Sequence, residues 1–569
     1  MAGAGGRGRN HLSGKRTGRM KVDPIKLEII KNSLIGVTEE MGIALKKSSY
    51  SPNIKTREDH TCSIFNHKME MVAQTAHQIG HLGAFTNILK NTMKEHRIDE
   101  LKPGDTIVVN DPYRGGTHLP DIIMISPVFY KNRLWGFVAN LAHHSDVGGI
   151  APGSVPGNTT EIYQEGIRIP SIKLFKSGVL QEDLLKMILA NVRTPEERKG
   201  DLQAQIAANN LAIRRISELI ERYGFDELGF YAEETIRYAE RRMRAEIEKL
   251  IEGEYTGVDY LDDDGITDDP VRIAVTIRKQ GDQIEFDLSE SSPQRKGPTN
   301  CTSSMALSLI MYTLRCLTDP DIPQSEGCYR PVKLTIPEGK ALNCRFPAAI
   351  AGGWEISRRL IDAVSRALLK AMPNRVPAGS NGAMNQITFG GKYPDRDARF
   401  AYYETNGGGF GARPDKDGMD GVHSVSNTKN TPVEELELFY PIFIKKYALR
   451  EDSEGPGMFR GGLGICREIQ FLTDVTFAIM SDRQKFKPWG IDGGGEAQGS
   501  EFCLLSGSEK RTLRTKTTAM AKAGDTLVIH TAGGGGFGDP EKRPREMIKR
   551  DLEEGKISLE RAKEIYGWQ

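Results

Sequence analysis

Residues 106–149 constrain this chain more than any other stretch. Three apolar runs, Thr106-Ile107-Val108-Val109, residues 122–130 and residues 134–141, read as strands divided by short loops. Two histidine–carboxylate clusters sit where those strands end. The first is Asn110-Asp111-Pro112-Tyr113-Arg114-Gly115-Gly116-Thr117-His118-Leu119-Pro120-Asp121. The second is His143-His144-Ser145-Asp146-Val147-Gly148-Gly149. Loops held at the end of a rigid sheet are a common home for reactive groups. Eight of the eleven histidines fall between His60 and His144, so this third of the chain is read as its chemical centre. Imidazole and carboxylate together are the ligand set of a zinc- or manganese-type site.

His118 and Asp121 lie three residues apart on a loop that Gly115 and Gly116 tighten and Pro120 stiffens. The glycines are expected to let the backbone fold close to an ion or a substrate. Alone, a His-x-x-Asp pair is equally a structural hydrogen bond. His143, at the end of a neighbouring strand, supplies a third ligand for a divalent metal. Glu58 and Asp59 precede the first predicted hairpin, and on an extended segment only one of them faces inward. Either fits as the remaining carboxylate, and both also fit a surface turn. Asp111 and His144 are acid/base candidates. Asp146 is a candidate of the same kind, and all three are equally suited to fix the tautomer of a metal-bound imidazole. His77 and His81, at i and i+4, share a helical face and either line the same pocket or serve structure.

Lys plus Arg total 77 and Asp plus Glu 76, which gives no general case for nucleic acid or an anionic membrane as partner. No apolar run approaches the ~20 residues of a transmembrane helix. The seven cysteines never form a C-x-x-C pair, so neither a disulfide scaffold nor a zinc knuckle is indicated, and a cytoplasmic location fits best. The first nineteen residues are basic, glycine-rich and free of acid, which reads as a disordered leader over residues 1–21. Three further regions are expected. Residues 22–250 form an N-terminal α/β region with the metal site, residues 251–400 a middle α/β region, and residues 401–569 a glycine-rich β region with a C-terminal helix.

Helices are predicted over residues 23–47, with Asp23 and Pro24 as cap and first turn, and over 80–96, 201–223, 231–251, 304–317, 356–372 and 543–566. The near-heptad line through 231–251 suits core packing better than a coiled-coil seam. A hairpin is predicted over residues 61–72, and strands over 271–277 and 284–288. The fold class is α+β or mixed α/β, with mixed sheets. Gly533-Gly534-Gly535-Gly536 is followed by no Lys-Ser or Lys-Thr, so it is not a phosphate loop. It and Gly407-Gly408-Gly409, Gly461-Gly462 and Gly493-Gly494-Gly495 read as tight turns against another backbone, within the chain or on another subunit.

At these residues the chain resembles the hydantoinase B family, the B-type subunit or half of ATP-dependent oxoprolinases and N-methylhydantoinases. The two clusters carry the resemblance. So do Thr194-Pro195-Glu196-Glu197-Arg198-Lys199-Gly200-Asp201-Leu202, Gly407-Gly408-Gly409-Phe410-Gly411-Ala412-Arg413, Phe459-Arg460-Gly461-Gly462-Leu463-Gly464, Pro488-Trp489-Gly490 and residues 533–540. It extends over residues 23–566.

The resemblance implies a hetero-oligomer with a hydantoinase A-type subunit. That partner would bind ATP and magnesium and phosphorylate the carbonyl oxygen of a cyclic amide such as a hydantoin, oxoproline or lactam. The B-type subunit would then process the activated intermediate. The family also includes subunits of acetone and acetophenone carboxylases, which act on ketones. Their metal pattern, a His-x-x-Asp pair, a later His and an upstream acid, matches His118, Asp121, His143 and either Glu58 or Asp59. The carboxylase-type subunit is typically longer, so ring opening is the expected reaction. Ketone carboxylation is the alternative, and a non-catalytic scaffold role the second.

Overall fold

The computed structural model describes residues 20–75, 81, 83–424, 426 and 428–569. The basic leader expected over residues 1–21 thus falls outside the described residues as far as residue 19. His77 lies outside them as well.

Four sheets organise the chain. The strands of the first are β1 (His60–Asn66), β2 (Met71–Gln74), β3 (Thr106–Val109), β4 (Asp121–Tyr130), β5 (Arg133–His143), β6 (Ile172–Lys176) and β7 (Val179–Leu180). They run in the order β2-β1-β5-β4-β3-β6-β7, antiparallel throughout. The second sheet comprises β8 (Gly253–Leu261), β9 (Val271–Gln280), β10 (Gln283–Asp287) and β11 (Val332–Thr335), in the order β11-β10-β9-β8, with β10 and β11 parallel. The strands that follow are β12 (Gln386–Lys392), β13 (Arg399–Glu404), β14 (Ile442–Leu449), β15 (Ile465–Phe471), β16 (Val475–Met480), β17 (Glu501–Ser506), β18 (Glu509–Leu513), β19 (Lys516–Ala521) and β20 (Thr526–His530). They form a third sheet, β13-β12-β16-β19, and a fourth, β14-β15-β20-β17-β18, which interleave in sequence. β13 straddles the expected boundary at 400/401 and shares its sheet with strands beyond residue 475. The mixed α/β class is as expected.

The first sheet is covered on both faces, and its two-residue period decides which side chain goes where. On one face Phe137, Ala139 and Leu141 of β5 and Ile123 and Ile125 of β4 pack against Phe85, Ile88 and Leu89 of helix α3 (Ala84–Glu95). The other face meets three long helices; the chain also forms the short α2 (Pro52–Lys55) and α4 (Glu182–Leu189). The three are α1 (Pro24–Ser48), α5 (Pro195–Tyr223) and α6 (Phe225–Glu248), packed through Leu34, Met41, Ala208, Ile216, Ala232 and Ile236. Asp23 caps α1 as predicted, its carboxylate accepting from the Ile25 and Lys26 N–H groups. α5 begins six residues earlier than its apolar pattern, because Pro195 at its first turn pre-sets a helical φ. Ala239, Met243 and Ile247 of α6 are buried in the main core, so its apolar line is core packing.

Helices α7 (Ser303–Leu317) and α8 (Gly353–Leu368) cover the second sheet, and α9 (Val433–Phe439) abuts β14. The single C-terminal helix predicted over residues 543–566 is two helices, α10 (Arg545–Glu553) and α11 (Leu559–Tyr566), parted where Gly555 takes a left-handed φ of 64°. The glycine tracts pack against one another within the chain. A Cβ on Gly461 would stand 1.7 Å from the Gly534 carbonyl oxygen, and one on Gly409 2.0 Å from that of Gly462. The Gly462 and Gly534 N–H groups donate to the carbonyls of Phe410 and Gly462, so these segments stack backbone on backbone.

A buried histidine–aspartate centre

Asp121 opens β4 and His143 closes β5, and the two are direct cross-strand partners. Residue parity puts both on the α3 face with Ile123 and Leu141. His118 reaches the same point from the loop before β4. That loop enters through a 3₁₀ turn at Pro112–Arg114, where Asp111 caps the Tyr113 N–H, and leaves it through Gly115 at φ 106°. A Cβ on Gly115 would lie 2.9 Å from backbone atoms of Asn87 and Ile88 on α3. Gly115 is thus needed for close packing on α3.

His118 Nδ1 lies 2.7 Å from Asp121 Oδ2 and His143 Nδ1 3.1 Å from Asp121 Oδ1. Thr117 Oγ1 also donates to Oδ2. His81 Nε2 is 3.7 Å from the same oxygen, and its Nδ1 meets Thr61 Oγ1 at 3.0 Å. All four ionisable residues are 1–2 % exposed. Burial pushes the Asp121 carboxyl upward, but the surrounding imidazoles outweigh it and hold the group well below the usual carboxylate range. Burial pulls both His81 and His143 below the usual imidazole value. An ionised Asp121 only accepts, so the Nδ1 atoms of His118 and His143 donate to it. Their Nε2 atoms then carry the lone pairs. Both Nε2 atoms are buried and have no hydrogen-bond partner among the described residues.

Donor atoms of His118, Asp121 and His143 come within 4.8 Å of one another. Two buried imidazole nitrogens without partners, beside a carboxylate held ionised, fit a divalent cation. Leaving such atoms unmatched would otherwise cost about 1–3 kcal/mol each.

The rest of the shell is aromatic. The Trp354 ring sits edge-on to His118 and His81 at 6.0 and 5.8 Å, and the Tyr403 ring lies 4.2 Å from that of His143. Asn53 Nδ2 donates to the His143 carbonyl at 2.7 Å, and Asn53 Oδ1 accepts from Arg57. Arg57 also donates to the Tyr403 and Lys429 carbonyls and Thr405 Oγ1, which ties the first sheet to the third. None of these residues carries a sequence signal. They are brought to the histidines from distant parts of the chain and are not ligand types.

The two upstream acids part company. Glu58 has φ 60°, which breaks the extended run, and its carboxylate pairs with Lys46 and with Lys429 at 2.8 Å. Burial opposes its ionisation, but the two ammonium groups bring it down to about 2. Asp59 is buried, its carbonyl accepts the His143 N–H, and its charge acts on both His143 and His81. The acid/base candidates sit apart from the cluster. Asp111 accepts from the Tyr113 N–H and from Arg114, and burial raises its carboxyl. His144 points to the opposite face, where Nε2 meets Gln205 Oε1 at 3.0 Å. Burial and the Arg198 charge bring it down to about 4. Asp146 anchors its loop by accepting from Gly148, Gly153 and Arg193.

The hydantoinase B/oxoprolinase family profile matches residues 23–540. The B-type component of a D-/L-hydantoinase, so named in Pseudomonas sp. (strain NS671), is 33% identical over 576 residues, spanning 98% of this chain and 97% of that protein. The crystal structure of the ATP-dependent caprolactamase from Pseudomonas jessenii superposes with a TM-score of 0.90 at 30% identity, covering 96% of each chain. Nucleotide-free acetone carboxylase superposes with a TM-score of 0.87 over 96% of this chain and 79% of that one. At 21% identity that likeness speaks to the fold alone.

Proposed function

The chain belongs to the hydantoinase B/oxoprolinase family, and we propose that it is the B-type component of an ATP-dependent cyclic amide hydrolase. The observation that carries this reading is the buried cluster of His118, Asp121 and His143 with two unpartnered Nε2 atoms. The hydantoinase relative and the caprolactamase neighbour support the choice of a cyclic amide.

An unstrained amide resists attack because resonance holds its carbonyl. Phosphorylation of the carbonyl oxygen by an A-type partner, using ATP and magnesium, turns that oxygen into a leaving group. This chain then acts on the activated ring. His118, Asp121 and His143 would hold a divalent cation such as zinc or manganese, with Asp59 as the adjoining carboxylate. When bound, that cation supplies Lewis-acid charge and lowers the pKa of water. Asp121 stands between the two imidazoles, 2.7 Å from His118 Nδ1 and 3.1 Å from His143 Nδ1, and so sets their positions. Trp354 and Tyr403 wall the centre and exclude bulk water. His81, whose imidazole burial holds below its usual value and whose Nε2 lies 3.7 Å from Asp121, joins Asp111 and His144 as a proton-exchange candidate.

The test is an assay of the chain with its A-type partner, ATP and a panel of hydantoins, oxoproline and lactams, with and without bicarbonate. ATP-coupled ring opening that ignores bicarbonate is expected. Turnover of a ketone only with bicarbonate would overturn the hydrolase reading in favour of a carboxylase. Full activity of histidine variants in a metal-free complex would leave only a scaffold role.

A further inference from the structure

A second centre lies along α8 from the histidines. Trp354, which edges His118, and Arg358 are one helical turn apart on the same helix, an axial rise of about 6 Å. Arg358 lines a cavity of about 80 Å³ together with Tyr312, Phe410, Ser424 and Trp489. Arg358 is 1 % exposed, yet its Nε and Nη2 atoms have no hydrogen-bond partner among the described residues. Ser424 Oγ and Trp489 Nε1, both buried on the same wall, also lack partners there.

A buried guanidinium is normally paired, because its desolvation is costly. Among the described residues no carboxylate forms an ion pair with Arg358. Asp362 shares the wall, but its carboxylate is taken by Arg483 at 2.7 Å and Arg359 at 3.0 Å. Glu355 acts on Arg358 through its charge, but its oxygens accept the Met384 N–H. Burial lowers the guanidinium to about 10, so it stays charged at neutral pH. The wall therefore offers two guanidinium nitrogens, a hydroxyl and an indole N–H that have no hydrogen-bond partner among the described residues. That donor set matches a carboxylate or phosphoryl group, which guanidinium binds through two parallel hydrogen bonds. Phe410 and Trp489 belong to the motifs Gly407–Arg413 and Pro488–Gly490, for which the histidine centre provides no use.

We propose that this cavity is an anion site, with Arg358 as its charged anchor, that grips the carboxylate or phosphoryl group of the molecule processed at the histidine centre. The second half of that statement rests on the hydrolase reading, whereas anion binding itself does not.

The test uses the full chain without partner, nucleotide or cyclic amide, so failure of the hydrolase reading cannot mimic failure of this one. Orthophosphate and acetate are titrated separately into wild type, Arg358→Met and Arg358→Lys, following thermal midpoint and tryptophan fluorescence. At least one anion should stabilise wild type in a saturable way. Arg358→Met should weaken that anion roughly tenfold or more, and Arg358→Lys less, since lysine keeps the charge and loses the fork. Preference for phosphate assigns the site to a phosphoryl group, and preference for acetate to a ring carboxylate. If neither anion stabilises wild type, or if Arg358→Met binds as tightly, the proposal fails. Should Arg358→Met not fold, Ser424→Ala and Trp489→Phe carry the same comparison, and unchanged affinity in both overturns it.

Discussion

Asp121 and His143 are direct partners on β4 and β5, and His143 Nδ1 lies 3.1 Å from Asp121 Oδ1. The register that buries Ile123, Ile125, Ala139 and Leu141 against α3 also sets this pair on the same face. A one-residue slip of either strand would send its side chain to the α5 face and dismantle the centre. The sheet therefore fixes two of the three candidate ligands, and only His118 depends on a loop.

Removing one member of the triad should separate metal from fold. His118→Ala and Asp121→Asn are expected to retain native circular dichroism. Bound zinc or manganese, read by elemental analysis after dialysis, should fall by roughly tenfold or more. Activity with the A-type partner should be lost in both. A wild-type metal content in His118→Ala would remove that residue from the site.

Gly115→Ala tests the loop. Alanine at φ 106° is strained, and its Cβ would stand 2.9 Å from α3 backbone. A loss of about 1–3 kcal/mol is expected in denaturant unfolding. Metal affinity should fall with it, because His118 is carried by the displaced loop. An unchanged midpoint would mean that the loop moves off α3 without cost.

The sequence discloses this centre unevenly, for physical reasons. His118, Asp121 and His143 are legible because each is a ligand type at a strand end or on the loop leading into one, and β3 is found with the bounds predicted for it. Asp59 and Glu58 are not separable from sequence, since the outcome turns on Glu58 adopting a φ of 60°. Trp354 and Tyr403 leave no pattern, because they are brought in by tertiary packing from distant elements. The proton-transfer expectation attached to His144 suffers from adjacency. Neighbours on a strand point to opposite faces, so its ring meets Gln205 while that of His143 meets Asp121.

Glu165 gives a pH signature outside the triad. Burial raises its carboxyl to about 7, against the pull of the Ala351 and Ile350 N–H groups and Thr159 Oγ1. The folded state then holds this proton more tightly than the unfolded chain does. From this group, stability is greatest below pH 4.5 and declines as pH rises through 4.5 to about 7. Glu165→Gln should flatten that slope in urea midpoints measured across the window. An identical slope in the variant would place the titration elsewhere.

The last prediction decides between the two upstream acids. Asp59→Asn leaves the backbone acceptor for the His143 N–H in place and removes a charge next to His143 and His81. It should weaken metal binding roughly tenfold or more. Glu58→Gln breaks the pairs with Lys46 and Lys429, both of which are more than a third exposed. Its cost should stay below about 1 kcal/mol, and its metal affinity should match wild type. The reverse pattern would require Glu58 to abandon both lysines and turn inward. In that case the left-handed backbone at this residue would belong to a resting arrangement, and the metal-bound one would differ.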